Sequence, residues 1–212
     1  MSRERLIEEL STHIADRRVL AAVADVPRDL FVPRSIRGEA WANTSLPIGH
    51  GQTISQPSVV ARMCELLELE GSEHVLDVGT GSGYHAAVLA RLAAHVVSIE
   101  RHAALSRAAG EALAAAGVTN VELVVGDGSR GHPDAAPYDA INVAAASRHG
   151  VPSTLVGQLA DGGRLVLPVD GGRQRLTLIR RRGERFREER HDAVRFVPLV
   201  TEKRAHGGSA PP

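Results

Sequence analysis

The sequence predicts an α/β fold, a doubly wound and mostly parallel sheet of the Rossmann-like type with an N-terminal helical cap and an antiparallel C-terminal edge. Between residues 75 and 168, short apolar runs alternate with stretches of helical spacing, which is typical of parallel strands joined by helices. The run 75–83 ends in an acid and three alternating glycines directly before a helix, as expected for a buried strand that turns into a helix. After residue 175 the strand-like runs follow one another without helices, which favours antiparallel pairing.

Length and composition favour one globular domain. With 212 residues and 43% apolar side chains, the chain can bury a full core. We expect a single domain over residues 1–204, made of N-terminal helices and a loop (1–57) and a core with the C-terminal strands (58–204), followed by a disordered tail (205–212). We also expect a monomer, although the sequence itself does not determine the oligomeric state.

Cysteine content and hydropathy indicate the compartment. The single cysteine, Cys64, excludes an internal disulfide framework and suits a reducing environment. The N-terminal residues lack the apolar segment of a secretion signal, and no run approaches the roughly 20 apolar residues that a membrane-spanning helix needs. We therefore expect a cytoplasmic protein with no membrane partner.

The N-terminal quarter of the chain predicts helices followed by a long loop. Apolar residues at helical spacing indicate helices over residues 6–14 and 19–26, the second ended by Pro27. An irregular stretch rich in Pro, Gly and Asn follows over residues 31–57. Long loops inside compact chains are usually functional, so this stretch is a candidate for substrate contact. Helical spacing resumes at Ser58 and continues to Gly71.

The alternating region and the C-terminal fifth of the chain supply the sheet. The predicted strands of the alternating region cover residues 75–77, 96–100, 121–125, 140–144 and 164–168. The predicted helices cover residues 82–92, 102–116 and 152–159. Three further strands are expected at 176–180, 185–191 and 194–198, with Gly183 in a turn.

Three acids follow or end three consecutive predicted strands. Asp77, Glu100 and Asp127 fall at the carboxyl ends of the strands, where doubly wound sheets bind their ligands. Glu100 comes 21 residues after Gly79, the spacing at which an acid meets ribose hydroxyls. Asp127, next to Gly128, is placed to accept a hydrogen bond from the exocyclic amine of a base. For each acid alone, a helix N-cap or a turn is the alternative.

The glycine spacing and the charges around it narrow the ligand. Gly79, Gly81 and Gly83 follow Asp77 in the pattern Asp-x-Gly-x-Gly-x-Gly, one step tighter than the dinucleotide fingerprint. The loop has no basic residue, and the basic excess lies elsewhere, with twelve Lys and Arg against six Asp and Glu in residues 164–204. A site with acidic side chains and no basic side chain favours a ligand that is a positively charged nucleoside without phosphate groups. S-adenosyl-L-methionine, with its sulfonium and ammonium groups, is therefore the expected cofactor, and the fold is expected to be of the methyltransferase type.

Three motifs resemble those of the protein-L-isoaspartate O-methyltransferase family: Leu46-Pro-Ile-Gly-His-Gly-Gln-Thr-Ile-Ser-Gln-Pro57, the glycine loop 77–83, and Gly126-Asp-Gly128. The similarity extends from about residue 19 to 199. Within it, Gly-x-Thr-Ile-Ser-x-Pro is specific to the family, whereas the glycine loop is shared by most S-adenosylmethionine enzymes. The resemblance implies a seven-stranded methyltransferase core that methylates the free α-carboxylate of L-isoaspartyl residues in damaged proteins or peptides. The ester then closes to a succinimide, which opens partly to normal aspartate.

The resemblance also implies site residues. In the family the Thr-Ile-Ser segment lies over cofactor and substrate, and those roles fall on Thr53, Ile54 and Ser55, with Ser55 as the catalytic residue. A structural hydrogen bond is the alternative for His50. The residues expected to contact the substrate are His50, Gln56, Val197 and Pro198.

The chemistry of a carboxylate acceptor fits this set. An isoaspartyl carboxylate is ionised at neutral pH and needs no general base. The enzyme has to hold it in line with the methyl group and remove its water. The hydroxyl of Ser55 can orient the carboxylate without quenching it, whereas a Lys or Arg at that place would form an over-stable ion pair. An N-cap role for the helix that begins near Pro57 is the alternative for Ser55, and both roles can coexist.

The sequence favours neither a metal site nor a nucleic-acid site, and it leaves two alternative functions open. The histidines are scattered without an i,i+4 pair or a His-x-Glu cluster, so we expect no metal site. The few aromatic residues offer no stacking platform, and no Asn/Asp-Pro-Pro-aromatic motif follows the fourth strand, so we expect no nucleic-acid partner. Methylation of an ordinary aspartate in a biosynthetic peptide and a non-catalytic cofactor-binding or peptide-binding module remain the alternatives.

Two positions depart from the family pattern. Asn142 stands inside the fourth parallel strand, where an aliphatic residue is usual, and Ser147 stands where a proline commonly follows that strand. A buried asparagine needs hydrogen-bond partners. The geometry beside the cofactor therefore depends on what Asn142 contacts.

Overall fold

The structure is a computed structural model that describes residues 1–200. Its helices are α1 (Arg3–Ser11), α2 (Arg17–Asp25), α3 (Pro57–Leu67), α4 (Tyr84–Ala90), α5 (Ala103–Ala115) and α6 (Ser153–Val156). Its strands are β1 (Leu46–Gly49), β2 (Gln52–Ile54), β3 (His74–Val78), β4 (His95–Glu100), β5 (Val121–Val125), β6 (Tyr138–Val143), β7 (Leu159–Asp170), β8 (Gln174–Arg182) and β9 (Arg185–Ala193). Short 3₁₀ turns cover Arg28–Phe31, Arg34–Glu39, Gly128–Arg130 and Pro133–Ala135. The tail predicted at residues 205–212 lies outside the described residues.

Seven strands form one sheet in the order β5-β4-β3-β6-β7-β8-β9. Strands β3 to β7 are parallel to one another, while β8 pairs antiparallel with β7, and β9 antiparallel with β8, at one edge. The central strands are apolar on both faces because helices or turns cover both sides. The predicted doubly wound sheet with an antiparallel C-terminal edge is confirmed.

The alternation of side chains along the strands separates two apolar clusters. Val75, Val96 and Ala140 face a cluster formed with helices α1 to α4, whereas Leu76 and Val78 face a second cluster that includes Leu155 of α6. A polar side chain in these strands is therefore committed to one face by its position. Asp77 is directed to the face of α3 and α4, like Val75 two residues before it.

The stretch 31–57, predicted to be irregular, contains ordered pieces. The turn Arg34–Glu39 is followed by a hairpin in which β1 pairs antiparallel with β2. The hairpin turns through Gly49, His50 and Gly51, all with left-handed φ angles of 91°, 51° and 69°. Strands of four and three residues are too short to show a period-2 pattern, which is why the sequence did not reveal them.

Two other predicted elements are wrong in extent or kind. The helix predicted over residues 152–159 covers only Ser153–Val156, and Leu159 already belongs to β7. The strand predicted over residues 194–198 is not part of the sheet. Instead, Ala146 donates its N–H to Val197 O (2.8 Å) and accepts one from Leu199 N (2.8 Å). Pro198 lacks an N–H, so this segment cannot continue a ladder and forms an isolated bridge.

Arg28 ties the loop before the hairpin to the sheet. Its guanidinium is completely buried, donating to Ala40 O (2.8 Å) and Thr44 O (3.2 Å). The same group lies 4.7 Å from the ring centroid of Tyr84, the first residue of α4. Burial lowers the pKa of Arg28, and the carbonyl dipoles and the ring face compensate its charge. Residues 28–44 are thereby fixed against the start of α4.

We predict that Arg28→Ala destabilises the protein by about 3 kcal/mol, because the carbonyls of Ala40 and Thr44 lose their donor and a cavity replaces a buried side chain. Urea unfolding followed by circular dichroism measures the change. Arg37→Ala, at an exposed position of the same loop, is the matched control and should change the free energy of unfolding by no more than about 0.5 kcal/mol. If Arg28→Ala lowered the free energy of unfolding by less than 1 kcal/mol, Arg28 would not be what fixes this loop against α4.

Candidate functional site

A cavity of about 300 Å³ lies at the carboxyl ends of the parallel strands. Four stretches of chain contribute most of its walls: residues 52–55 at the end of the hairpin, 78–82 of the glycine loop, 99–102 at the end of β4, and 197–200 of the C-terminal segment. Val60, Tyr84, His85, Asp127, Gly128, Ala144 and Ala145 complete the lining. This is the place at which a doubly wound sheet binds its ligands, outside the strand ends. Segments nearly 150 residues apart in sequence therefore share one site.

The glycine loop allows backbone to approach backbone at the floor of the cavity. Gly79 and Gly81 have left-handed φ angles of 95° and 54°, which residues with a Cβ rarely adopt. A Cβ on Gly81 would lie 3.4 Å from Cδ1 of Ile48, so the hairpin packs directly on the loop. The loop and the hairpin therefore close the cavity together.

Glu100 holds the glycine loop from below. Its buried carboxylate accepts hydrogen bonds from Gly81 N on Oε2 (2.9 Å) and from His102 N on Oε1 (2.9 Å). Each carboxylate oxygen has two lone pairs, so both oxygens retain acceptor capacity. Glu100 thus shapes the loop and also presents a negative charge and hydrogen-bond acceptors to the cavity it lines.

Asp127 combines a cap with a place in the cavity wall. Its Oδ1 accepts from the backbone N (3.0 Å) and the hydroxyl (2.8 Å) of Ser129, which caps the turn Gly128–Arg130. Asp127 and Gly128 both line the cavity. The N-cap alternative and the ligand-facing position therefore hold at the same time.

The end of the hairpin presents Ser55 to the cavity. Gln52, Thr53, Ile54 and Ser55 line it in succession. Helix α3 begins at Pro57 with Gln56 as its N-cap and no side-chain capping hydrogen bond, so the N-cap alternative for Ser55 is wrong. Within the described residues no hydrogen bond engages the Ser55 hydroxyl, which leaves it available to a ligand.

The C-terminal segment forms the opposite wall. Val197 and Pro198 line the cavity and are held by the bridge to Ala146. Gln174 fixes the preceding residue, accepting from Phe196 N (2.6 Å) and donating to Phe196 O (3.3 Å). The segment that leaves the sheet after β9 thus acquires a defined position above the strand ends.

A family comparison identifies this arrangement. The model of the family described as protein-L-isoaspartate(D-aspartate) O-methyltransferase matches residues 1–204. The chain belongs to this family. Its cofactor is S-adenosylmethionine and its activity is O-methyl transfer, so the prediction made from the motifs is confirmed.

Individual relatives agree with this assignment. A protein-L-isoaspartate O-methyltransferase from Methanoregula boonei is 56% identical over 189 residues, covering 88% of this chain and 86% of the relative. One from Halorhodospira halophila is 52% identical over 202 residues, covering 94% of this chain and 91% of that relative. Among solved structures, a protein-L-isoaspartate O-methyltransferase superposes with a TM-score of 0.84 at 29% identity, covering 94% of this chain and 66% of that one. The chain thus spans about two thirds of the length of that structure.

A second solved structure carries a ligand. It is described as a putative protein-L-isoaspartate O-methyltransferase from Plasmodium falciparum in complex with S-adenosyl-L-homocysteine. It superposes with a TM-score of 0.80 at 25% identity, covering 94% of this chain and 99% of that one. Nearly the whole of that chain therefore has a structural counterpart here.

The cavity brings together most of the residues that the family motifs predicted. Those that line it are Thr53, Ile54, Ser55, Gly79, Gly81, Glu100, Asp127, Gly128, Val197 and Pro198. Those that do not are His50, Gln56, Asp77 and Gly83. Several lining residues went unnoticed in the sequence, among them Thr80, Tyr84, His85 and His102. The only feature of the sequence that could have indicated them is their position, since each lies in or just after a predicted strand-to-helix turn.

Three of the four residues outside the lining have structural roles. His50 lies at the tip of the hairpin, stacked on His102 with ring centroids 5.6 Å apart. Gln56 is the N-cap of α3. Gly83 packs against α5, where an added Cβ would lie 3.2 Å from Cβ of Ala109. These three residues support the elements that line the cavity, and the ligand contact predicted for them stays a prediction.

The fourth residue, Asp77, lies beneath the cavity. Its side chain is completely buried and accepts hydrogen bonds from the Ser98 hydroxyl (2.7 Å) and from Asn142 Nδ2 (2.7 Å). Asp77 lies one residue before the end of β3, whereas Val78, the last residue of that strand, lines the cavity. Asn142, the departure inside β6, therefore has a partner. Ser147, the second departure, donates its hydroxyl to Gly150 O and closes the following turn.

The described residues offer neither a metal-binding cluster nor a membrane-spanning helix. Within residues 1–200, no group of three or more His, Cys, Asp or Glu side chains could hold a metal ion. Across the same residues, every helix is too short or too polar to cross a bilayer.

We predict that Gly128→Ala weakens binding of S-adenosylhomocysteine about tenfold. An added Cβ would lie 2.6 Å from Cγ1 of Val78 and 3.3 Å from Cγ2 of Ile99, so the cavity wall must shift. Isothermal titration calorimetry measures the dissociation constant. Gly171→Ala is the control, since a Cβ there meets nothing within 4 Å, and its affinity should equal that of the wild type. Equal affinity for Gly128→Ala would show that the wall adjusts freely.

Proposed function

We propose that this chain transfers the methyl group of S-adenosylmethionine to the α-carboxylate of L-isoaspartyl residues in damaged proteins or peptides, which starts their repair through a succinimide. One observation carries the proposal: the family-specific segment Thr53–Ser55 and the strand-end carboxylates Glu100 and Asp127 line the same cavity. A methyl donor and a carboxylate acceptor can therefore be held side by side. The match to the family model supports the L-isoaspartyl residue as the substrate.

The cofactor would be held by the sheet side of the cavity. Glu100 can accept from ribose hydroxyls with the acceptor capacity that its two backbone hydrogen bonds leave. Asp127 is placed to accept from the adenine amine, and the backbone of Gly79 and Gly81 allows close approach. When bound, S-adenosylmethionine supplies an electrophilic methyl group on a positively charged sulfur.

The acceptor would be held by the hairpin and the C-terminal segment. The Ser55 hydroxyl can donate to one oxygen of the acceptor carboxylate and leave the other free to attack. Ile54, Val197 and Leu199 give the cavity apolar walls that exclude water from the anion. Because the acceptor is already ionised, no residue has to remove a proton. The chain's contribution is orientation and desolvation.

The same proposal covers partners and location. We infer that the enzyme acts as a cytoplasmic monomer on protein or peptide substrates and has no nucleic-acid partner. Its single cysteine is free and buried, which suits a reducing compartment. Light scattering at micromolar concentration would test the monomer.

We predict methyl ester formation on a peptide that contains isoaspartate and none on the matched peptide that contains aspartate at the same position. Mass spectrometry after incubation with S-adenosylmethionine measures both. Preference for the aspartyl peptide would favour the biosynthetic alternative. Cofactor binding without methylation of either peptide would favour a non-catalytic module.

We predict that Ser55→Ala lowers kcat roughly tenfold to a hundredfold with little change in the dissociation constant of S-adenosylhomocysteine, because a positioned donor acts on the acceptor. Ser58→Ala, one turn further along and outside the cavity, is the control and should retain the wild-type kcat. An unchanged kcat for Ser55→Ala would remove Ser55 from the catalytic residues.

A further inference from the structure

A continuous chain of hydrogen-bonded polar side chains runs through the core directly beneath the cavity. The Thr80 hydroxyl lies 2.6 Å from that of Ser98, which donates to Asp77 Oδ2. On the other side, Asn142 Nδ2 lies 2.7 Å from Asp77 Oδ1 and 3.2 Å from Nδ1 of His85. Beyond it, Nε2 of His85 lies 3.6 Å from the Cys64 sulfur. All six residues are buried.

The hydrogen-bond directions show that His85 is neutral. A carboxylate only accepts, so Asn142 must present its amide nitrogen to Asp77, and the same nitrogen then donates to Nδ1 of His85. The imidazole proton is therefore on Nε2, facing Cys64. Burial lowers the pKa of His85 to about 3 and raises the pKa of the Cys64 thiol. Neither group offers a charge to balance a carboxylate.

Asp77 is thus the one residue among these six hydrogen-bonded side chains that becomes charged near neutral pH. Burial raises its pKa to about 6, the hydrogen bonds from Asn142 and Ser98 oppose this rise, and the charge of Glu100 adds to it. Among the described residues, no cation pairs with the carboxylate. Above pH 6 the floor of the cavity therefore carries a buried negative charge stabilised only by neutral donors.

The cavity adjoins this carboxylate through neighbouring residues. Val78, Thr80 and His85, which adjoin Asp77 in the strand or in the hydrogen-bond chain, all line the cavity. We propose that Asp77, positioned by Asn142 and Ser98, makes the site prefer the cationic methyl donor over the neutral thioether that remains after transfer. The inference rests on the proposed function. It assigns a role to Asn142, which the family pattern left unexplained.

The stability of the protein distinguishes this role from a structural one. The pKa of Asp77 is raised on folding, so its contribution to stability is fully present below the ordinary pKa near 4 and is lost as the pH rises through about 6. At neutral pH the ionised side chain therefore destabilises the fold. Asp77→Asn should raise the melting temperature at pH 7, whereas removal of a carboxylate needed for structure would lower it.

The test compares two ligands that differ in one charge. Calorimetry gives the dissociation constants of S-adenosylmethionine and S-adenosylhomocysteine at pH 7 for the wild type and Asp77→Asn. We expect the ratio of the dissociation constant of S-adenosylmethionine to that of S-adenosylhomocysteine to rise about tenfold in the variant, because the negative charge that attracts the sulfonium is lost. Asp139→Asn is the matched control, because Asp139 accepts from His74 N at the opposite ends of β3 and β6 and its loss should leave the ratio unchanged.

The pH dependence gives a second measurement between pH 5 and 7. In the wild type the ratio should rise as the pH falls through about 6, since Asp77 becomes protonated. Asn142→Val should move this rise to higher pH, because one of the two donors is lost, and Asp77→Asn should abolish it. An identical ratio in the wild type and Asp77→Asn overturns the inference while cofactor binding stands. Failure of the wild type to bind either ligand would instead overturn the proposed function.

Discussion

The carboxylate of Glu100 joins three parts of the site. It is the last residue of β4, it accepts from the glycine loop at Gly81, and it accepts from His102 at the start of α5. Without it, two backbone N–H groups beside the cavity would lose their partners. Glu100 therefore holds the floor of the cavity together with Ile99 O, which accepts from Gly79 N (2.9 Å) and Thr80 N (3.3 Å). The hairpin depends on the floor, because Ile48 packs on Gly81.

Two carboxylates near the cavity have different surroundings and different consequences. Glu100 accepts hydrogen bonds from backbone N–H groups and lines the cavity, so it can shape the glycine loop and bind a ligand at the same time. Asp77 is enclosed by neutral side chains one layer below. Its charge reaches the cavity only as a field, which in the interior of a protein is weakly screened. Both surroundings suit a reaction that begins with a cationic cofactor and an anionic acceptor.

The acceptor side of the site is assembled from segments that have no local reason to meet. Arg28 fixes the loop before the hairpin to α4, and Gln174 fixes the C-terminal segment to β8. Neither residue touches the cavity. Each nevertheless determines where a wall of the cavity lies, so the precision of the site depends on buried polar contacts far from the reacting atoms.

The sequence by itself determined the alternation of strands and helices after residue 74, the strand-to-helix turn at the glycines, and the acids at the strand ends. These follow from local rules, since hydrophobic period, glycine φ angles and the edge of a parallel sheet all leave a pattern along the chain. Only the tertiary structure decided that Glu100 lines the cavity while Asp77 lies below it, because β3 extends one residue beyond Asp77, to Val78, whereas Glu100 is the last residue of β4. It also decided the bridge of residues 197–199 to Ala146 and the partner of Asn142, since both are contacts between distant segments that leave no periodic signal.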